Sequence, residues 1–304
     1  MAETAPSVSA QRPLVAVFWM VITGLCFVGV TATVKHLGGR VPAAEAAFLR
    51  YLLGLVFLVP MWPSLRRARL TRPARRLFWL RGGVHTLGVI LWFYAMTRIT
   101  IAEVTAMNYL VPVYVTLGAA VLLGERLALP RMLAVGAAMV GALIILRPGF
   151  RDLDTGHFAM LFTAVFFAAS YLIAKRMTAE VSPAVVVAML SITVTLGLAP
   201  FAAAVWITPS LADLGWLFVV AGFATAGHFT MTLAFQAGPM AVTQPVTFLQ
   251  LLWASLLGAL VFAEPVDGWV LVGGVLILGA VSFIAWREAR LKARSSPPAP
   301  DGQV

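Results

Sequence analysis

The sequence predicts an all-α integral membrane protein with ten transmembrane helices, built as two inverted five-helix repeats. Three observations carry that expectation. The chain of 304 residues is 61% hydrophobic and 11% charged, and a soluble domain of this length would lack polar residues to cover itself. The chain also repeats itself about 140 residues apart. Lys35 and Lys175 each end a long apolar segment, and Pro60 and Pro200 each close the next one. AAVLLGERL around Glu125 returns as GALVFAEPV around Glu264. Finally, five hydrophobic segments lie in each half. Five is odd, so the second copy threads the membrane in the opposite direction to the first. Inverted repeats of this kind mark secondary transporters, with the solute site where the halves meet.

Taken in order, the spans are expected near 14–35, 44–62, 77–97, 101–123 and 130–147 in the first half. In the second they fall near 157–176, 183–207, 212–235, 241–262 and 268–287. Each must be helical, because an open sheet leaves unpaired backbone groups in lipid. The division that follows is a cytoplasmic tail at 1–13, a first repeat at 14–147, an external linker at 148–156, a second repeat at 157–287 and a disordered cytoplasmic tail at 288–304. The first apolar run, Leu14 to Val34, is followed by no small-residue cleavage site and reads as a retained helix. The tail ends in SSPPAPDGQV, too polar and proline-rich to pack.

Charge sets the orientation. Of the 22 Lys and Arg, 16 fall on the side that holds both termini, 5 fall on the other, and Arg50 lies inside a span. The positive-inside rule places both termini in the cytoplasm, in a cytoplasmic or inner membrane. Arg66, Arg67, Arg69, Arg72, Arg75 and Arg76 crowd one loop, and Arg287, Arg290, Lys292 and Arg294 follow the last span. They are placed to meet anionic lipid headgroups, and nothing in their distribution suits nucleic acid. The single cysteine, Cys26, lies within the first span and serves there as a small filler.

Polar residues inside the spans fall on particular helices. The third span aligns Arg81, His85, Gly88 and Trp92 on one face, and the fourth aligns Thr105, Asn108, Pro112 and Thr116. The eighth aligns Thr225, His228, Thr232 and Gln236, and the ninth Thr243, Thr247, Gln250 and Ala254. The fifth and tenth spans carry small residues such as Ala134, Ala138 and Ala142, which suit close helix contact and would also suit a homodimer through those spans. The expected cavity residues are therefore His85, Trp92, Asn108, Tyr171, His228, Thr232, Thr247 and Gln250. Asn108 and Gln250 can both donate and accept, while Trp92 and Tyr171 can stack on a planar solute.

His85 and His228 are the groups in the spans that titrate near neutrality, and they are the candidates for a proton relay. Each is equally suited to a plain hydrogen bond between helices. Arg50 needs a partner or an anion. Lys35 and Lys175 end matching helices, where a cation favours the helix dipole. Glu125 and Glu264 sit before short loops, where a carboxylate can accept from the amides that open the next helix. Pro112 interrupts the fourth span's hydrogen-bond ladder. There is no HExxH, GxSxG or Walker loop and no pair of intramembrane carboxylates. No catalytic residue, metal site or cofactor is expected, and the chain is not expected to be an enzyme.

FLRYLLGLVFLVP (48–60), LWFYAMTRITIAEVTAMNYLVPVYVTLGAAVLLGE (91–125) and the weaker echo at 232–264 resemble the drug/metabolite transporter superfamily, in its ten-helix EamA branch. The resemblance spans residues 14 to 287 and implies a central cavity lined by spans 1, 3, 4, 6, 8 and 9. It implies a small-molecule solute moved by alternating access, and fixes no solute motif. The deep charges are cationic and the acids lie near span ends, which favours a neutral, zwitterionic or anionic solute. An amino acid or a derivative is the first expectation and a planar vitamin or drug-like solute the second. A non-transporting scaffold or receptor would have no use for polar stripes on symmetry-related helices.

Overall fold

A computed structural model describes residues 13–68, 70–123, 128–150, 152–177, 183–237 and 246–295. The described residues are helical with short connections, in the order expected. Helix α1 spans Pro13–Leu37 and α2 spans Ala43–Gly54, continuing through a 3₁₀ stretch, Leu55–Met61, into α3, Trp62–Arg67. Next come α4 (Arg72–Met96), α5 (Ile101–Asn108), α6 (Leu110–Leu123) and α7 (Leu129–Leu146). The second half holds α8 (Thr155–Met177), α9 (Pro183–Ala204), α10 (Leu211–Ala237), α11 (Thr247–Phe262) and α12 (Gly268–Ser295).

Seven of these helical segments are long and apolar enough to cross a membrane. The other three expected spans depart for physical reasons. Helix α4 carries Arg72, Arg75, Arg76 and Arg81. The fourth span is broken between α5 and α6, because Pro112 has no N–H for the carbonyl of Asn108 and the helix restarts after Tyr109. The start of the ninth expected span, with Pro245, lies outside the described residues. The last helix runs on to Ser295, about two turns past the expected end of the tenth span, so part of the tail expected to be disordered is helical.

The packing relates one half to the other. Helix α1 packs along α10, and α4 packs along α8, their counterparts exchanged between halves. The same exchange relates α2 on α10 to α9 on α4, and α1 on α11 to α8 on α6. Three contacts map onto themselves: α2 with α9, α5 with α11, and α7 with α12. Such a pattern is what a two-fold axis between halves of five crossings demands.

The α7–α12 contact shows what the small residues are for. A Cβ at Gly141 would stand 2.7 Å from the Gly273 carbonyl oxygen, and one at Gly273 would stand 2.5 Å from that of Gly141. Only glycine lets the two backbones approach so closely. Ala134, Ala138 and Ala142 are buried with them. The stripe is thus used within the chain, and a homodimer through these helices would have to use their outer faces, where Leu133, Val140, Leu143, Val272 and Val275 are exposed.

Replacing Gly141 by Ala should therefore lower the melting temperature in detergent, at a cost of about 1–3 kcal/mol from overpacking. Gly136→Ala, on the same helix with open space around its Cβ position, should instead raise it, as helix propensity gains up to about 1 kcal/mol. Equal shifts for the two variants would refute the close backbone contact.

Candidate functional site

The loops joining α1 to α2, α4 to α5, α7 to α8, α9 to α10 and α11 to α12 share one end of the bundle, here the linker end. Helix ends leave amides and carbonyls without partners, and here polar side chains, some of them from the other half, supply them. The four ion pairs between described side chains all lie at this end: Lys35–Glu264, Arg40–Asp213, Arg147–Asp267 and His157–Glu103. Lys35 Nζ also donates to the Ile99 carbonyl at 2.8 Å, and Glu264 Oε2 accepts from the Ile101 amide at 3.0 Å. Thr100 and Glu103 form a reciprocal capping box that starts α5. The other oxygen of Glu103 meets His157 Nε2 at 3.2 Å, and both residues are buried. Glu45, fully buried, accepts from the Ile207 amide at 2.9 Å.

These contacts correct two expectations. Lys35 does more than end a helix: it clamps α1 to the α4–α5 turn and to the end of α11. Glu264 does accept from an amide that opens a helix, but that helix is α5, in the other half, and not the next one along the chain. Beyond the clamp lies an open hollow of ≈510 Å³ lined by Lys35, Arg98, Glu103, Asp154, His157 and Glu264. It is outside the expected cavity. The Glu103–His157 pair escaped the sequence reading because a capping-box glutamate and a helix-start histidine are each ordinary alone; their spacing of 54 residues carries no local signal.

Midway along the bundle the charges are of one sign. Arg81 Nε reaches Ser170 Oγ at 3.4 Å, and Nη1 reaches the Val186 carbonyl at 3.2 Å. His85 is bound at both ring nitrogens, by Tyr51 Oη at 3.2 Å and Ser170 Oγ at 3.1 Å, and it stacks on Phe167 with centroids 4.8 Å apart. Trp92 packs edge-on against the same Phe167. The Arg50 guanidinium lies over the Tyr51 ring, 4.0 Å from its centroid. His85 is within electrostatic reach of Arg81, Arg50 and His228, and Tyr171 is within reach of Tyr51 and Arg81. Helices α2, α4, α8 and α10 thus bring one cluster together. Tyr171 (43% exposed) and His228 keep accessible surface although these groups lie within reach of them, as residues bordering a gap between helices would.

The remaining expected cavity residues divide. Trp92 Nε1 and Asn108 Oδ1 are buried polar atoms without a protein partner. Such atoms cost free energy unless water or a ligand satisfies them. Thr247 contributes its carbonyl to Tyr109 Oη at 2.7 Å, which braces the break in the fourth span. Gln250 packs where α11 meets α1, since a Cβ at Gly24 would stand 3.3 Å from its own Cβ. Glu125 lies outside the described residues, as do the side chains of Lys175 and Thr232.

In a Cys26→Ala background, cysteines at Tyr171 and His228 should react with a polar thiol reagent, whereas cysteines at the buried positions Ala138 and Leu278 should not. Equal labelling at all four would mean no gap exists. In a thermal-melting double-mutant cycle, Lys35→Met and Glu264→Gln should couple by about 1–3 kcal/mol. Additive effects would dissolve the clamp.

The chain matches the EamA-like transporter family over residues 14–147 and again over 154–286. A riboflavin transporter of Rhizobium johnstonii is 32% identical, over 95% of this chain and 97% of its own length. An S-adenosylmethionine uptake transporter of Rickettsia prowazekii is 26% identical over 84% of this chain and 87% of its length. A riboflavin transporter of Vibrio cholerae is 25% identical over 93% and 97%. One crystal structure superposes with a TM-score of 0.57 over 92% of this chain and 97% of its own, at 20% identity, which extends the likeness to the fold. The relatives are transporters, and with two matched five-crossing halves the chain belongs to the EamA-like transporter family as a multi-pass carrier of a small metabolite, not an enzyme.

Proposed function

We propose that this carrier moves a planar, ring-bearing polar metabolite of the riboflavin class by alternating access, in the cytoplasmic membrane with both termini inside. The observation that carries this reading is the aromatic and polar cluster of Tyr51, His85, Trp92, Phe167 and Tyr171, beside the unpaired donor Trp92 Nε1. Aromatic faces hold a flat ring by stacking, and the buried indole N–H, which has no protein acceptor, would gain one if a solute edge reached it. The riboflavin relative at 32% identity supports the same class.

An amino-acid cargo, the first sequence expectation, has weaker support: the cluster holds no carboxylate for an ammonium group, and the relatives named here carry ring-containing solutes. The same lack of a carboxylate weighs against a sulfonium cation, since like charges in a low-dielectric gap repel. In this reading the linker-end clamp is the closed gate and the gap opens toward the tail end. A proton relay through His85 is not needed, because Tyr51 and Ser170 already satisfy both its nitrogens.

The test is uptake and release of riboflavin, S-adenosylmethionine and a panel of amino acids in proteoliposomes. Riboflavin should be carried, and Trp92→Ala should lower transport on the order of tenfold, the loss of about 1–2 kcal/mol of ring contact. Transport of amino acids with no flavin competition would sink the proposal.

A further inference from the structure

We propose that the gap contains a subsite for an anionic group, a phosphate or carboxylate, held by Arg50 with Arg81 behind it. The inference rests on the transport reading above and narrows its solute class. Arg50 lies seven residues into α2, about 10 Å along the helix from its start, and is half-buried there. Its described contact is the face of Tyr51, and a cation–π contact offsets only part of the cost of taking a guanidinium out of water. Arg81 is 6% exposed and is bound by neutral groups alone, Ser170 and the Val186 carbonyl. Neither arginine is ion-paired with a described carboxylate.

Elsewhere the molecule treats its internal charges differently. Each acid of the described membrane-embedded bundle sits at the linker end, and Lys35, Arg40 and Arg147 are each matched to one there. The two deep arginines are the exception. His85 and His228 lie within their field, with Tyr51 and Tyr171 beside them, so the side chains within reach of Arg50 and Arg81 are imidazoles and hydroxyls, with no described carboxylate among them. A guanidinium cannot shed its charge as a lysine can. Two of them kept without a counter-ion, beside a gap, constitute half of an anion site whose other half is the bound group.

Two sources can supply the anion: the solute, or the headgroup phosphate of a lipid that reaches the gap. The test is equilibrium binding to the purified full-length chain in nanodiscs, using riboflavin and its 5′-phosphate as a matched pair. The phosphorylated compound should bind at least about tenfold tighter, from one charge-assisted bidentate contact. Arg50→Gln should collapse that ratio toward one, while Arg50→Lys should retain part of it. Melting temperature reports on folding of each variant. If both compounds weaken equally in Arg50→Gln, Arg50 only positions Tyr51 and the proposal is overturned. If neither flavin binds but inorganic phosphate still quenches tryptophan fluorescence in an Arg50-dependent way, the subsite stands and the ring reading falls. If the tenfold preference appears in zwitterionic nanodiscs and vanishes when anionic lipid is included, the subsite stands and lipid phosphate competes for it. An equal affinity for both flavins in every lipid overturns it.

Discussion

Hydrocarbon offers no hydrogen-bond partner to a peptide group, and nearly every feature of this bundle follows from that. The backbone must satisfy itself, so the described embedded segments are helical apart from the break at Tyr109. The same requirement reaches the side chains. Thr31, Thr33, Thr105 and Thr195 each return their hydroxyl to the carbonyl one turn back, which satisfies a polar group in the apolar interior without a tertiary partner. Thr23 and Thr230 do the same while also meeting each other at 2.9 Å between α1 and α10. Where the ladder is cut by Pro112, the irregular backbone is braced by Tyr109 against the opening carbonyl of α11.

Helix ends escape this rule only by finding partners, and the two halves provide them for one another. Glu264 from the second half caps α5 of the first, Glu45 from the first half accepts from the Ile207 amide that precedes α10, and His157 at the start of α8 holds Glu103. Because each link crosses between halves, sliding one half against the other must break them together. Lys35 and Glu264 keep partial contact with water, at 19% and 10% exposure, so breaking their pair costs less than it would in a dry core. In the proposed transport cycle this clamp is the gate.

The middle of the bundle obeys the opposite logic. No described carboxylate pairs with Arg50 or Arg81, the aromatic rings converge, and Trp92 Nε1 and Asn108 Oδ1 have no partner among the described residues. A scaffold would gain stability by replacing these groups with leucine. Keeping them costs folding free energy, and in the proposed function solute recognition is what offsets that cost.

The periodicity and duplication of the sequence determined the all-helical class, the order of the elements and the twofold plan, because the hydrocarbon length and the unpaired peptide are constraints that act on local segments. They also determined that His85, Trp92 and Asn108 lie on faced stripes, since one helix's spacing is a local property. Only the tertiary structure decided which residues meet. The clamp of Lys35 to Glu264 joins positions 229 residues apart, and Glu103 to His157 spans the repeat boundary; no local pattern encodes either. Nor could spacing tell that Gln250 faces Gly24 of α1, or that the Arg50 guanidinium lies over the face of Tyr51. Those facts depend on how helices from opposite halves rotate against one another, and that rotation is set by backbone approaches such as Gly141 on Gly273, which exist only once the two halves have met.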